Sequence, residues 1–346
     1  MHFIQKQMAI LTALPALFRL SAPIAIGQLI SISMLTADFW MMGRLSAFDL
    51  ASGSLAVRVY QPFYFLCLGL LSIIASMVAQ SIGAGRPEIA RRIYRQGLIL
   101  ACLLGGGLML PILFGADILV LLGQDAEIAS YATPFFIYAA LGFPFTLIFL
   151  TMRFFTLGHR RIGAQLIASI LMLGLNIILN PLLAYGLYGM PEMGLAGIAL
   201  ATSLSYMMAC LILGSLIGLR APFSETKPYQ NWWRPDMELM KTMLKVGGPN
   251  AFIVASETGM FIVAAFIVGL FGSSALAAVA IANQIAAVVF MLPLSISQSC
   301  AILVGQSAGA GRLEDVRAIG WAGGLAGLII ALPLTLLLAI YPETLA

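Results

Sequence analysis

The sequence predicts an all-α polytopic membrane protein of two helical lobes, the first complete with six helices and the second represented by about three. Three observations point there. The 346 residues are 61% hydrophobic and only 9% charged, where soluble domains carry about 25% charged residues. Nine apolar stretches are long enough to cross a bilayer, and a fourteen-residue motif recurs in register six spans after its first appearance. Such a composition excludes a cytosolic enzyme, a disordered chain and a nucleic-acid binder together, because too few charges remain to cover a water-facing surface.

The stretches run near 15–42, 51–79, 93–122, 128–152, 162–187, 193–219, 246–271, 275–305 and 318–341. The start, MHFIQKQMAI, has one lysine and no small-residue cleavage site, so the first span reads as a retained helix. Pro23, Pro62, Pro111, Pro144, Pro181, Pro293 and Pro333 fall inside spans, where neighbouring helices re-satisfy the freed carbonyls and a proline acts as a kink. Residues 1–219 form the first lobe, 220–245 a basic interfacial linker containing Trp232 and Trp233, and 246–346 the partial second lobe. Asp236, directly after Pro235, is placed to start the helix that enters the seventh span.

Sixteen of the eighteen Lys and Arg residues fall in alternate loops on the N-terminal side, leaving Arg44 and Arg58 on the other. The positive-inside rule then places the N-terminus in the cytoplasm. Cys67, Cys102, Cys210 and Cys300 lie in apolar runs without CxxC spacing, and His2 and His159 are the only histidines, so neither a disulfide framework nor a metal site is expected.

The loop after the second span reads AQSIGAGRPEIARR from Ala79, and the loop after the eighth reads GQSAGAGRLEDVRA from Gly305, with eight of fourteen positions identical. The same offset of 226 residues carries Pro23 onto Pro249, Arg19 onto Lys245 and Gly43 onto Gly269. An even number of spans separates equivalent points, so the copies face the same way, related by an axis along the membrane normal. A second lobe as long as the first would extend roughly 100 residues further, about three helices that this chain does not carry. The GAGR loops lack the Lys-Ser/Thr of a phosphate-binding loop and follow no strand, so they read as tight turns.

Few ionisable residues lie inside the spans, and such residues are usually functional. Asp38 is in the first span, Glu257 near the middle of the seventh, and Arg58 about two turns into the second. Glu257 is either a structural carboxyl bonded to backbone or a proton- or cation-exchanging one. Asn176 and Asn180 of the fifth span are spaced i, i+4, which puts two carboxamides on one helical face just before Pro181. With Asp38 and Thr202 of the sixth span they offer a carboxylate and neutral oxygens, the ligands a hard cation such as sodium prefers. The same residue types also serve as interhelical glue. Arg58 either lines a cleft or snorkels to the surface, and Tyr64, Asn283 and Gln284 are further candidates for the cleft wall. The eighteen methionines and most aromatics read as packing or lipid-facing residues, a subset of which suits an adaptable pocket.

Taken together, the early proline, Asp38 before MMGRLSAFDLAS, AQSIGAGR, the Asn-x-x-x-Asn-Pro of the fifth span, Thr202, and Glu257 followed by FMLPLSISQSCAILVGQSAGAG resemble the multidrug and toxic compound extrusion (MATE) family in its bacterial NorM-like branch. The resemblance covers the whole chain. It implies a MATE-like two-lobe bundle of twelve helices, no enzymatic activity, no cofactor, and antiport of small cationic amphipathic compounds against sodium or protons. It also implies a monomer in the bacterial inner membrane with no nucleic-acid partner. The family's first-lobe cation site maps onto Asp38, Asn176, Asn180 and Thr202, and its second-lobe acidic site onto Glu257, whose further acidic partner belongs to a tenth span that the chain lacks. Two alternatives stand beside this reading: a lipid-linked oligosaccharide flippase, which would need a cationic cleft where Arg58 is the sole intramembrane cation, and a non-transporting fragment.

Overall fold

The computed structural model describes the backbone of residues 2–230, 233–269 and 273–340 and, within these, all side chains except those of 2–10, 226, 262, 265, 266, 269, 273–285 and 337–339. Ten α-helices follow in order: α1 His2–Leu45, α2 Ala47–Gly83, α3 Pro87–Leu113, α4 Gly115–Leu121, α5 Ala126–Gly158, α6 Gly163–Ala184, α7 Gly194–Leu219, α8 Met237–Gly269, α9 Ser273–Gly309 and α10 Leu313–Ile340. No strand occurs among the described residues. Eight helices, all but α4 and α8, are long and apolar enough over those residues to cross a membrane. At 33 residues, α8 spans about 50 Å, more than the ~30 Å hydrocarbon core.

Every stretch expected from the sequence lies on a helix where it is described, with one correction. The run 93–122 is broken at Phe114 into α3 and the short α4; hydropathy is continuous there, but Gly115 presses so closely on the ring of Phe136 that a β-carbon would sit 2.3 Å from it. The helix carrying Glu257 begins at Met237, as expected from Asp236 directly after Pro235: Asp236 caps it, its Oδ1 accepting from Leu239 N at 3.1 Å and its backbone oxygen from Met240 N at 2.9 Å. Trp232 of that segment lies outside the described residues.

Local chemistry sets the other ends. Ser46 caps α2, its Oγ accepting from Asp49 N at 2.9 Å, and Asp49 is buried under Tyr131, whose hydroxyl donates to Oδ1 at 2.7 Å. The two GAGR loops are tight turns, as their sequence suggests. Gly85 and Gly311 take positive φ of 68° and 72°, which a glycine adopts without steric cost. Arg86 N then donates to Ser81 O and Arg312 N to Ser307 O, each at 2.9 Å.

The first lobe packs α5 between α2, α3 and α7, with α6 against α1 and α7; Tyr94, Phe136, Phe143 and Phe155 are fully enclosed in it. Helix α2 also reaches the second half of the chain, touching α8 and α9. Asn250 of α8 donates to Gly69 O at 2.6 Å and to Ser72 Oγ at 2.8 Å. At their arginine-rich ends α2 and α9 cross closely, and Arg160 reaches from the end of α5 to Gln306 Oε1 at 3.0 Å. Two copies of one motif thus close that side of the bundle.

Candidate functional site

The strongest constellation is built around Asp38. It lies seven residues before the end of α1 and is only 8% exposed, and an isolated buried carboxylate is costly unless donors surround it. Helix α6 supplies two. Asn180 Nδ2 donates to Asp38 Oδ1 at 2.8 Å and Asn176 Nδ2 to the same oxygen at 3.1 Å. Thr202 Oγ1 of α7 donates to the other oxygen at 2.9 Å. The donors are themselves linked, with Asn176 Nδ2 at 3.1 Å from Thr202 Oγ1 and Asn180 Nδ2 at 3.2 Å from Asn176 Oδ1. The i, i+4 spacing on α6 is what aims both carboxamides at one atom, and Pro181 follows directly within the same helix.

One feature of the cage suits a ligand rather than packing alone. Asn180 Oδ1 is buried with no hydrogen-bond partner, an acceptor that costs stability unless something meets it. Around Asp38 three helices therefore gather one carboxylate, two carboxamides and one hydroxyl, a set of oxygens fit for a small hard cation.

The remaining sequence candidates whose side chains are described do not join this cage. Glu257 is exposed on α8 and accepts no hydrogen bond from any described residue. Arg58 is exposed on α2 and makes no hydrogen bond or ion pair with Asp38. Tyr64 is half-buried within electrostatic reach of Arg153 and Tyr206. The side chains of Asn283 and Gln284 lie outside the described residues.

Sequence reasoning placed one residue wrongly. Arg153 counts by position as a loop cation, yet α5 continues to Gly158 and buries it to 6% exposure, with its Nε lacking any hydrogen-bond partner. Arg58 is therefore not the sole intramembrane cation. The signal was present in TLIFLTMRFFTLG, where Phe154, Phe155 and Leu157 carry the apolar pattern past the arginine and are themselves buried. Tyr206, one turn beyond Thr202, is also more than packing: it sits within electrostatic reach of both Asp38 and Arg153 and meets Phe149 edge-on at 5.9 Å.

The bundle is that of a polytopic helical membrane protein, and comparison with known proteins gives its class, a transporter rather than an enzyme, and its family. The MatE family model matches residues 23–182 and 249–346. A probable multidrug resistance protein NorM of Bradyrhizobium diazoefficiens is 34% identical over 92% of this chain and 68% of its own length. Another of that name from Mesorhizobium japonicum is 32% identical over 95% of this chain and 71% of its own. Among solved structures, an outward-facing multidrug resistance MATE family transporter of the MOP superfamily superposes with a TM-score of 0.86 at 22% identity, covering 96% of this chain and 73% of that one. The chain belongs to the MatE family, the multidrug and toxic compound extrusion transporters.

Proposed function

We propose that the chain is a secondary active antiporter that exports small cationic, amphipathic organic compounds in exchange for sodium or protons entering the cell. It works from the bacterial plasma membrane as a monomer with no cofactor, its arginine-rich side and N-terminus in the cytoplasm. The observation that carries this reading is the Asp38 cage. A carboxylate held by three movable donors can exchange one positive partner for another. For sodium, Asn176 and Asn180 turn about χ2 so that their Oδ1 atoms replace Nδ2 beside the ion, with Asp38 and Thr202 completing the ligands. For a proton, Asp38 itself becomes a donor. Either event cancels the negative charge that an organic cation needs, and this difference in affinity between states is what couples ion entry to substrate exit. Glu257, exposed and without partners among the described residues, is assigned a second cation-exchanging role. The names of the relatives, multidrug resistance proteins, support drug export over lipid flipping.

The test is thermal unfolding of the purified chain in detergent against sodium, potassium and choline chloride, beside Asp38→Asn and Glu257→Gln. A sodium-specific rise lost in Asp38→Asn is expected for sodium coupling. Absence of that rise with proton release on substrate binding identifies proton coupling. Failure of vesicles containing the chain to move a cationic dye against its gradient under either ion gradient overturns the antiport reading.

A further inference from the structure

A second polar site lies outside the Asp38 cage, where the first turns of α3 meet the segment leading into α8. A cavity of about 390 Å³ opens there, lined by Arg92, Arg95, Gln96, Arg234, Asp236 and Met237 among others. Arg91 stands close by, and Arg91, Arg92 and Arg234 all act electrostatically on Arg95. The lining also holds two carboxylates: Asp236 is bonded by both Nε and Nη2 of Arg92, and Glu238 is exposed to solvent, so with Arg91 four guanidiniums stand against two carboxylates. Arg91 and Arg95 donate to neutral oxygens, the side chain and the backbone carbonyl of Gln230, at 3.2 Å and 2.6 Å. Gln96 ties the cavity wall together, giving Nε2 to Arg234 O at 3.1 Å and taking Asp236 N at 3.0 Å on Oε1. Arg234 lines the cavity, and its guanidinium meets no acceptor among the described residues.

Clustered guanidiniums around an open cavity repel one another and are relieved by an anion whose several oxygens can each take a planar pair of N–H donors, as phosphate does. The surroundings choose among phosphate sources. Met237 lines the cavity and is 61% exposed, and Trp233, next to Arg234 in the chain, is 63% exposed, an apolar shoulder of the kind found at a membrane interface. A soluble phosphate has no use for that shoulder, whereas a lipid places its glycerol and upper chain on it. We propose that this pocket seats the phosphodiester headgroup of an anionic phospholipid from the leaflet on the arginine-rich side, pinning the segment before α8 to α3. Basic pockets between helices on the cytoplasmic face are the usual setting for such headgroups.

The test does not depend on transport. The purified full chain is titrated in detergent with phosphatidylglycerol, phosphatidylcholine or inorganic phosphate, and retained lipid is counted by native mass spectrometry beside Arg234→Gln, Arg234→Glu and Arg234→Lys. Far-UV circular dichroism and the lipid-free unfolding midpoint verify folding. Phosphatidylglycerol is expected to bind and raise the midpoint. Its affinity should fall about fivefold in Arg234→Gln, the effect of one basic residue near a charged surface, further in Arg234→Glu, and recover in Arg234→Lys. Equal retention by folded Arg234→Glu, equal binding of phosphatidylcholine, or the same midpoint rise with inorganic phosphate alone each overturns the proposal; the last identifies a soluble-anion site instead.

Discussion

The carbonyl oxygen of Gln306 lies 2.0 Å from where a β-carbon on Gly83 would stand. Its repeat mate does the same: 226 positions apart in each case, the carbonyl of Gln80 lies 2.0 Å from the β-carbon position of Gly309. The duplicated motif thus packs against its own copy across the pseudo-twofold axis, and glycine is required at both positions because backbone meets backbone. Gly83→Val and Gly309→Val are each expected to force the ends of α2 and α9 apart, at an overpacking cost of about 1–3 kcal/mol. Spin labels at the exposed Arg86 and Arg312 positions should report a longer and broader distance in both variants. An unchanged distance in either would show that the closure does not depend on this contact.

Asp38 and Asn176 should be energetically coupled. Asn176→Leu removes a donor at 3.1 Å from a buried oxygen, leaving part of the carboxylate unmet at a cost of about 1–3 kcal/mol. Asp38→Leu alone strands the carboxamides in the same way. In the double variant neither group is left facing a missing partner, so its loss should be smaller than the two single losses added, measured by unfolding in mixed micelles. Additivity would mean that the cage is not one unit.

How much of this was legible in the sequence depended on where each signal resided. Asn176, Asn180 and Thr202 could be found because helical spacing alone sets which side chains share a face. The broken α3 could not, since the apolar run continues through Phe114 into ADILVLL, while the close approach of Gly115 to Phe136 joins residues distant in the chain. Arg153 was misplaced because counting positive charges treats every arginine as bound to water, while burial depends on how far past it the helix runs. The mutual packing of the GAGR loops was invisible for a different reason: the repeat announces two similar turns, and nothing in it says that they touch.

Glu257 should separate from Asp38 in stability while resembling it in transport. It is exposed and unbonded among the described residues, so Glu257→Gln should change the unfolding free energy by no more than about 0.5 kcal/mol, as for surface substitutions in general. Drug-driven ion exchange should nonetheless fall in vesicles. Normal exchange in this variant would confine coupling to the Asp38 cage.

Acid should release the segment before α8 late. The Arg92 guanidinium, helped by the Leu239 N–H, holds the Asp236 carboxyl below the ordinary carboxylate range. A depressed native value means that the contact contributes fully above the unfolded pKa and is lost only as pH falls through the native one. The gap in unfolding midpoint between the natural chain and Asp236→Asn should therefore stay constant from about pH 7 to pH 5 and close at more acid pH. A gap that closes already above pH 5 would assign the dependence to another group.

Arg153 gives the opposite expectation from most buried residues. Its Nε lacks a partner and its neighbours Tyr64 and Tyr206 are neutral, so the guanidinium is desolvated without a compensating carboxylate. Replacement by an apolar side chain of similar length is then neutral or stabilising, by up to about 1–4 kcal/mol where buried charges have been so replaced. Arg153→Met should hold or raise the unfolding midpoint, whereas Arg153→Lys, which keeps the charge and concentrates it on one atom, should lower it. If transport falls in Arg153→Met while the midpoint rises, the charge is retained for function at the expense of stability. A fall in the midpoint on Arg153→Met would instead show that the arginine is satisfied in the folded bundle.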